Sequence, residues 1–281
     1  MIGIIGGTGL YRMEGLEVTR SAEIDTPFGA PSGPVMLGRL AGRDIAFLPR
    51  HGLHHDLLPS EINFRANIWA LKAAGVRTII GVSAVGSLRE EIRPGDLALP
   101  SQYLDFTKGL RAASFFGKGL VAHVSTAHPT WAHTAALIAR VAKTVGQPIH
   151  RDRTYACVEG PRLGTRAESF WLRGAGADLV GMTNVPEAFL ALEAQVGYCV
   201  ITVATDYDCW LDDASQHVSA EQVIGQFRES LGRVQRLIAG AVAEYVEDES
   251  RPCRRALEAA VVTPREQMSA EQKKVLDFLA S

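Results

Sequence analysis

Short apolar runs rich in β-branched residues alternate along the chain with longer segments whose apolar positions repeat at helical spacing. This alternation is typical of an α/β fold with a largely buried sheet. It predicts strands at residues 2–5, 44–48, 77–82, 97–100, 178–182 and 198–204. The helical segments are residues 60–74, 130–145, 186–195 and 219–246.

Helix boundaries are marked by glycines and by capping boxes. Gly75 and Gly146 follow two of the predicted helices, where glycine accepts the left-handed conformation that ends a helix. Ser219 and Ser269 each stand three residues before a glutamine, which is the spacing of a capping box. We therefore predict one domain over residues 1–245 and a helical extension of it over residues 246–281.

Composition narrows the class of protein. The chain has 281 residues, of which 47% are hydrophobic and 21% charged, which is typical of a folded globular protein. Its net charge of −2 argues against attachment to nucleic acid or to an anionic membrane. No stretch has the length of a membrane span or the form of a signal peptide, and the four cysteines form no CxxC pair. We expect reduced thiols and a cytoplasmic location.

Candidate chemistry begins in the glycine-rich turn Gly6-Gly7-Thr8-Gly9 after the first strand. Glycines let backbone amides converge on an anion, and the Thr8 hydroxyl adds a donor. A dinucleotide site would require GxGxxG opening a helix, and the GGTG spacing here discounts it. A simple tight turn is the alternative.

Two further strand ends carry groups that suit an anion. Arg50 and His51 follow the second strand, and Ser83 lies at the end of the third. Arginine offers a planar fork for phosphate or carboxylate oxygens, and ligands collect at strand ends in α/β sheets. His54 and His55 lack further ligands at metal-binding spacing, so we predict no metal, and a solvated arginine remains the alternative for Arg50.

The last two predicted strands end in polar residues of different kinds. Thr183 follows one of them at a helix start, where free amides can also meet an anion. Asp206 and Asp208 follow the other, and on an extended chain residues two apart project to the same side. Burial beside the apolar strand would keep one carboxyl protonated, as a general acid requires, whereas a turn with solvated aspartates is the alternative.

Residues 158–168 combine a Gly-Pro turn with several charged side chains. We interpret them as a loop that covers a ligand, or alternatively as a cluster of structural ion pairs.

Together these segments resemble the 5′-methylthioadenosine phosphorylases, within the second class of the purine nucleoside phosphorylase family. The resemblance spans residues 2–240 and rests on IIGGTGL, DTPFGAPS, RHG, NFRANIWALKAAG, SAVGSLREEIRPGD, VEGPRLGTRAESF, GMTNVPEA and ATDYDCW. It implies a three-layer α/β/α fold around a mixed, partly barrel-like sheet. It also implies a homotrimer with a site near each subunit interface.

The implied reaction is the reversible phosphorolysis of 5′-methylthioadenosine to adenine and 5-methylthioribose 1-phosphate, a step of purine and methionine salvage. Phosphate is a co-substrate, and no metal or organic cofactor is implied. The motifs place phosphate among Thr8, Arg50, His51, Ser83, Ala84 and Thr183. The family often has threonine at this position, and Ser83 in this chain keeps the hydroxyl.

The resemblance also assigns the nucleoside contacts. Met182 packs on the ribose and bonds its hydroxyls through the backbone, and Asp206 and Asp208 bind the purine. Val223 and Ile224 line the methylthio pocket, and His123 reaches it from the neighbouring subunit. Leu163 lies under the purine, where eukaryotic members commonly have an aromatic residue.

Asp206 is the expected acid at purine N7, with Asp208 orienting it. Three other functions share these features: phosphorolysis of methylthioinosine or another 6-oxopurine nucleoside, phosphate-independent hydrolysis by a nucleosidase, and binding without catalysis. Asp206 argues against the first, and Thr8, Arg50 and Ser83 argue against the second.

Overall fold

A single mixed sheet organises the computed structural model, which describes residues 1–7, 9–10, 13–212, 219–247 and 252–281. In strand order it runs β2-β3-β4-β1-β5-β8-β7-β6-β9, and β9 pairs back onto β5. The last five strands in that order therefore close into a barrel. The strands are β1 Ile2–Gly6, β2 Glu17–Ala22, β3 Val35–Leu40, β4 Arg43–Pro49, β5 Thr78–Ser87, β6 Leu97–Phe106, β7 Ile149–Val158, β8 Leu179–Gly181 and β9 Gly197–Asp206.

Helices cover both faces of this sheet. In the described residues they are α1 Phe64–Ala73, α2 Ala132–Thr144, α3 Arg166–Gly174, α4 Asn184–Glu193, α5 Ala220–Glu244 and α6 Ala270–Ala280. Ile5 packs in a core with α1, α4 and α6, whereas its neighbour Ile4 packs in a second core with α2 and α5. Successive strand residues thus face different helical layers, which is why the strands read as unbroken apolar runs. The expected three-layer fold with a partly barrel-like sheet is confirmed.

Several strands differ from the sequence prediction. The predicted strand at 97–100 continues to Phe106, because β6 pairs in parallel with β7 along its whole length. Strands β2, β3 and β7 were not predicted. Five of the six residues of β2 are exposed, and the first half of β7 is polar, so neither carries an apolar run. Backbone pairing rather than burial of side chains stabilises β2 and the first half of β7, whereas Tyr155, Ala156 and Cys157 in the second half of β7 are fully buried.

Two helices begin at the capping boxes that the sequence predicts, whereas α1 begins later than predicted. Ser219 and Ser269 both form complete capping boxes, with Gln222 and Gln272 respectively. Helix α1 begins at Phe64 rather than near Ser60, because the Asn63 side chain accepts a hydrogen bond from the Ala66 amide and caps the helix there.

Helix α6 packs against α1 of the same chain. The rings of Trp69 and Phe278 stack with their centroids 3.9 Å apart, and Leu279 is fully buried in the same core. Lys72 Nζ donates to the carbonyls of Ala194 (2.8 Å) and Leu279 (3.0 Å), so it joins the ends of α4 and α6. This packing supports our proposal that residues 246–281 extend the main domain.

The proposal predicts that α6 contributes to the stability of the whole chain. Leu279→Ala should lower the free energy of unfolding by about 2–5 kcal/mol, because it leaves a cavity in the core against α1. The exposed α6 substitution Lys274→Ala should change it by less than about 0.5 kcal/mol. Urea unfolding measures both, and equal midpoints for Leu279→Ala and the wild type would show that α6 is not part of the cooperative unit.

Candidate active site

The site lies where parallel strands end together. Strand β1 runs parallel to β4 and β5, and β5 runs parallel to β9. Their carboxyl ends bring the residues after β4, the second half of β5 and the end of β9 to one edge. Thr8, predicted to bind phosphate after β1, lies outside the described residues.

Arg50 is buried at this edge rather than solvated. Its Nε and Nη2 atoms donate to the two carboxylate oxygens of Glu187 at 2.7 Å each, and Nη1 donates to the Val82 carbonyl at 2.6 Å. Only 2% of the residue is exposed, so the alternative of a solvated arginine is wrong. Burial opposes the charge, but the Glu187 carboxylate outweighs it and raises the pKa of the guanidinium.

Two hydroxyls lie next to this ion pair. Ser83 on β5 immediately follows Val82, and its Oγ is 3.3 Å from Oγ1 of Thr183, at the N-cap of α4. The Thr183 amide donates to the Tyr155 hydroxyl at 3.4 Å. Ala84 is the next residue of β5. The structure therefore brings the predicted Arg50, Ser83, Ala84 and Thr183 together.

His51 is held as a neutral imidazole. Burial lowers its pKa to about 4, and the nearby Arg50 charge adds to that effect. Its Nδ1 lies 2.9 Å from the Leu57 carbonyl, so Nδ1 carries the proton and Nε2 is left as an acceptor. The imidazole can therefore accept a hydrogen bond from a protonated phosphate oxygen, but it supplies no positive charge.

Asp206 ends β9 in a buried position. Its Oδ1 accepts from the Asp208 amide at 2.7 Å, and Oδ2 lies 2.6 Å from the Thr205 hydroxyl. Burial raises the pKa of Asp206 to about 6; these two hydrogen bonds oppose that rise, and the Asp208 charge adds to it. Burial also raises the pKa of Asp208. The alternative of two solvated aspartates is wrong.

The expected extended geometry of this pair is also wrong. Asp208 has a φ of 54°, so the chain turns after β9 instead of continuing straight. Both aspartates nevertheless pack against Gly86 of β5. A Cβ at Gly86 would lie 3.1 Å from Asp206 Oδ1 and 3.2 Å from the Asp208 Cβ. Glycine at this position lets both side chains approach β5.

Of the predicted loop at residues 158–168, Val158 ends β7 and residues 166–168 begin α3, so residues 159–165 form the loop itself. Gly164 lies over Asp208, whose carboxylate oxygens would be 3.6 Å from a Cβ placed there, and Gly160 lies against the Met182 side chain. Ion pairs are present as well, since Arg162 binds both oxygens of Glu168 at 2.6 and 2.8 Å. The two interpretations of this segment are therefore compatible.

The remaining predicted contacts lie at the surface of the single chain. Leu163 is 39% exposed in the covering loop, and Ile224 is 51% exposed beside Val223 in the first turn of α5. His123 is exposed, and its amide donates to the Ala260 carbonyl at 2.8 Å.

The sequence reasoning assigned no role to the partners that hold these groups. Glu187, the carboxylate that binds Arg50, is 1% exposed, and it also accepts from the Tyr198 hydroxyl at 2.7 Å. An acidic residue one position after Pro186 in an apolar helix was the available signal. Arg111, which donates to the Met182 carbonyl at 2.7 Å, lies in a loop that carries no pattern.

The described ranges contain no cluster of three or more histidine, cysteine, aspartate or glutamate side chains arranged to hold a metal ion. Among the helices that the structure describes, none combines the length and apolar character needed to cross a membrane.

Known proteins are similar to this chain over nearly its whole length. The sequence profile of the phosphorylase superfamily matches residues 1–243. A curated S-methyl-5′-thioadenosine phosphorylase of Geobacter sulfurreducens is 46% identical over 279 residues, covering 99% of this chain and 97% of the relative. One of Nitrosopumilus maritimus is also 46% identical, covering 92% of this chain and 97% of the relative.

Solved structures agree. A methylthioadenosine phosphorylase from an antarctic soil metagenomic library matches with a TM-score of 0.92 at 46% identity, over 99% of this chain and 98% of that one. The Schistosoma mansoni enzyme in complex with adenine matches with a TM-score of 0.86 at 32% identity, over 98% and 97%. The chain therefore belongs to the phosphorylase superfamily and, within it, to the S-methyl-5′-thioadenosine phosphorylase family. The resemblance found in the sequence is confirmed.

Burial of Asp206 predicts a pH-dependent cost to stability. Its pKa is raised from 3.8 to about 6, so the folded chain holds the proton that the unfolded chain releases, and stability falls as the pH rises through this range. Asp206→Asn keeps an acceptor for the Asp208 amide and removes the charge. Its free energy of unfolding relative to wild type should increase by about 3 kcal/mol between pH 4 and 7.

Urea unfolding across that pH range measures the difference. The control is Asp152→Asn, which removes an exposed carboxyl on β7 and should give a curve parallel to that of the wild type. A parallel curve for Asp206→Asn would show that Asp206 does not hold its proton.

Proposed function

We propose that this chain catalyses the reversible phosphorolysis of 5′-methylthioadenosine. The C1′–N9 bond of the nucleoside breaks, a phosphate oxygen bonds to C1′, and the purine leaves with a proton as adenine. The other product is 5-methylthioribose 1-phosphate. The observation that carries the proposal is the buried Asp206, whose pKa is raised to about 6, at the end of β9; this strand pairs with β5, which carries Ser83 of the Arg50–Ser83–Thr183 cluster.

The anion end of the site suits phosphate. The hydroxyls of Ser83 and Thr183, 3.3 Å apart, can both turn toward one ligand, and the start of α4 adds its amides. Arg50 supplies positive charge, although Glu187 takes two of its donors. A phosphate dianion held here would face the sugar and stabilise positive charge as C1′ becomes oxocarbenium-like. The proposal requires no metal or organic cofactor.

The base end suits a 6-aminopurine. Cleavage leaves negative charge on the purine, and a proton delivered to N7 lowers the barrier. A carboxyl with a pKa of about 6 is protonated often enough near neutral pH to donate, yet it is a strong enough acid to release the proton. Asp208 would orient this acid and accept from the exocyclic amino group.

A second copy of the chain completes the proposed pocket. Leu163 and Ile224 are partly exposed apolar residues that the family motifs place around the nucleoside. We propose that packing in a homotrimer covers them and brings the partner's His123 to the methylthio group. The proposal includes a cytoplasmic role in purine and methionine salvage, which the buried thiols of Cys157, Cys199 and Cys209 favour because reducing compartments keep cysteines unpaired.

Ultraviolet-monitored cleavage tests the reaction directly. We expect adenine release from methylthioadenosine only when phosphate is added, with methylthioadenosine preferred over methylthioinosine and adenosine. Release without phosphate would instead identify a nucleosidase. Preference for methylthioinosine would contradict the role given to Asp206, and binding of adenine with no turnover would identify a binding protein.

Asp206→Asn tests the acid. The amide cannot deliver a proton as readily, so kcat for methylthioadenosine should fall by about 10²–10⁴-fold, while 6-oxopurine nucleosides gain some turnover because the amide can donate to O6. Asp152→Asn should retain wild-type kcat. Undiminished turnover of methylthioadenosine by Asp206→Asn would remove Asp206 from the mechanism.

A further inference from the structure

Arg111 is a buried arginine that the reaction as proposed does not use. It lies in the loop after β6, and 1% of its side chain is exposed. Nε donates to Glu159 Oε1 at 2.7 Å, Nη1 to the carbonyls of Met182 and Val185 at 2.7 Å each, and Nη2 to the Glu159 carbonyl at 2.9 Å. Its donors are thus directed at protein oxygens rather than at an open ligand site.

Glu159 holds this guanidinium in one orientation. Its second oxygen, Oε2, accepts from the Lys108 amide at 2.8 Å, so the carboxylate is fixed at both oxygens and is 5% exposed. Burial acts to raise the pKa of Glu159, but the Lys108 amide and the Arg111 guanidinium outweigh it and lower the pKa. The carboxylate therefore stays charged at neutral pH.

The two carbonyls that Arg111 binds flank the start of α4. Met182 precedes Thr183, the N-cap residue, and Val185 follows Asn184, the first helical residue. Because one Nη1 atom bonds both carbonyls, Arg111 fixes the path of the backbone from Met182 to Val185. Only a planar fork can reach Glu159 and both carbonyls together, since a lysine ammonium is a single point of charge.

We propose that Arg111, oriented by Glu159, is a positioning residue for the nucleoside sugar. It sets the backbone at Met182, which the family motifs place against the ribose with its backbone bonding the sugar hydroxyls; this inference rests on the proposed function.

The other ends of the site have their own supports. Asp206 is held by Thr205 and the Asp208 amide, and Arg50 by Glu187 and Val82. None of these contacts passes through Arg111, whereas Thr183 of the anion end lies within the stretch from Met182 to Val185 that Arg111 holds. Loss of the Arg111 fork should therefore weaken sugar binding and leave binding of the free base intact.

The test compares Arg111→Lys with the wild type in two measurements. KM for methylthioadenosine should rise about tenfold, the effect of losing one charge-assisted hydrogen bond. Kd for adenine, measured by calorimetry, should stay within about twofold. General loosening of the fold would weaken both together, so this split separates positioning from structural support.

Arg254→Lys is the matched control. Arg254 is another buried arginine that donates to a backbone carbonyl, that of Gln195 at 2.8 Å, and to a glutamate, Glu247 at 2.6 Å. It lies beside the C-terminal segment, in the short 3₁₀ helix Pro252–Arg255. Its substitution by lysine should lower Tm without changing KM for methylthioadenosine.

Glu159→Gln decides the outcome if Arg111→Lys does not fold. A neutral hydrogen bond is about half as strong as a charged one, so KM should rise roughly threefold with adenine affinity unchanged. An unchanged KM in the folded variant, or an equal loss of adenine affinity, overturns the inference while the proposed function stands. Absence of phosphorolysis by the wild type overturns both.

Discussion

The buried ion pair between Arg50 and Glu187 holds the anion end of the site in place. Arg50 follows β4, Glu187 lies on α4, the Val82 carbonyl that Arg50 also binds is on β5, and Tyr198 adds a hydroxyl from β9. Removing one partner would leave an uncompensated charge in the core, at a cost of about 3–5 kcal/mol. Because Glu187 takes two arginine donors, the hydroxyls beside the pair carry more of the proposed phosphate binding.

Strand β5 connects the two ends of the site. Ser83 faces the anion end, and three residues later Gly86 receives the aspartates of the base end. Burial shifts the pKa values of an acidic and a basic group of the site in opposite directions. It raises the pKa of the Asp206 carboxyl and lowers the pKa of the His51 imidazole, since in each case the charged form loses hydration. The rigid strand keeps these environments at a constant separation.

Strands buried on both faces were predicted from their apolar runs, as in β1, β4 and β9, because both helical layers select apolar side chains there. The edge strand β2 and the barrel strand β7 were not, because β2 is exposed and the buried residues of β7 are confined to its second half, so hydrogen bonds to neighbouring strands define much of both. For the site, polar residues at the ends of predicted strands identified Arg50, Ser83, Thr183, Asp206 and Asp208. Arg50 and Asp206 do stand at the ends of strands joined in parallel through β1 and β5, but the predicted end at Ser83 is wrong, because β5 continues to Ser87, and Thr183 follows β8, which is antiparallel to β5.

The sequence alone determined the α/β class, the family and the residues that carry the proposed chemistry, because strand periodicity and short motifs are local properties. The tertiary structure decided which groups hold those residues. Glu187 reaches Arg50 across 137 positions, and Glu159 reaches Arg111 across 48. It also turned Asp208 out of the extended chain. The pairing of such partners cannot be found from the sequence, because distant elements meet only when the chain packs: Glu187 stands out as an acidic residue in an apolar helix, but nothing nearby in the chain points to Arg50.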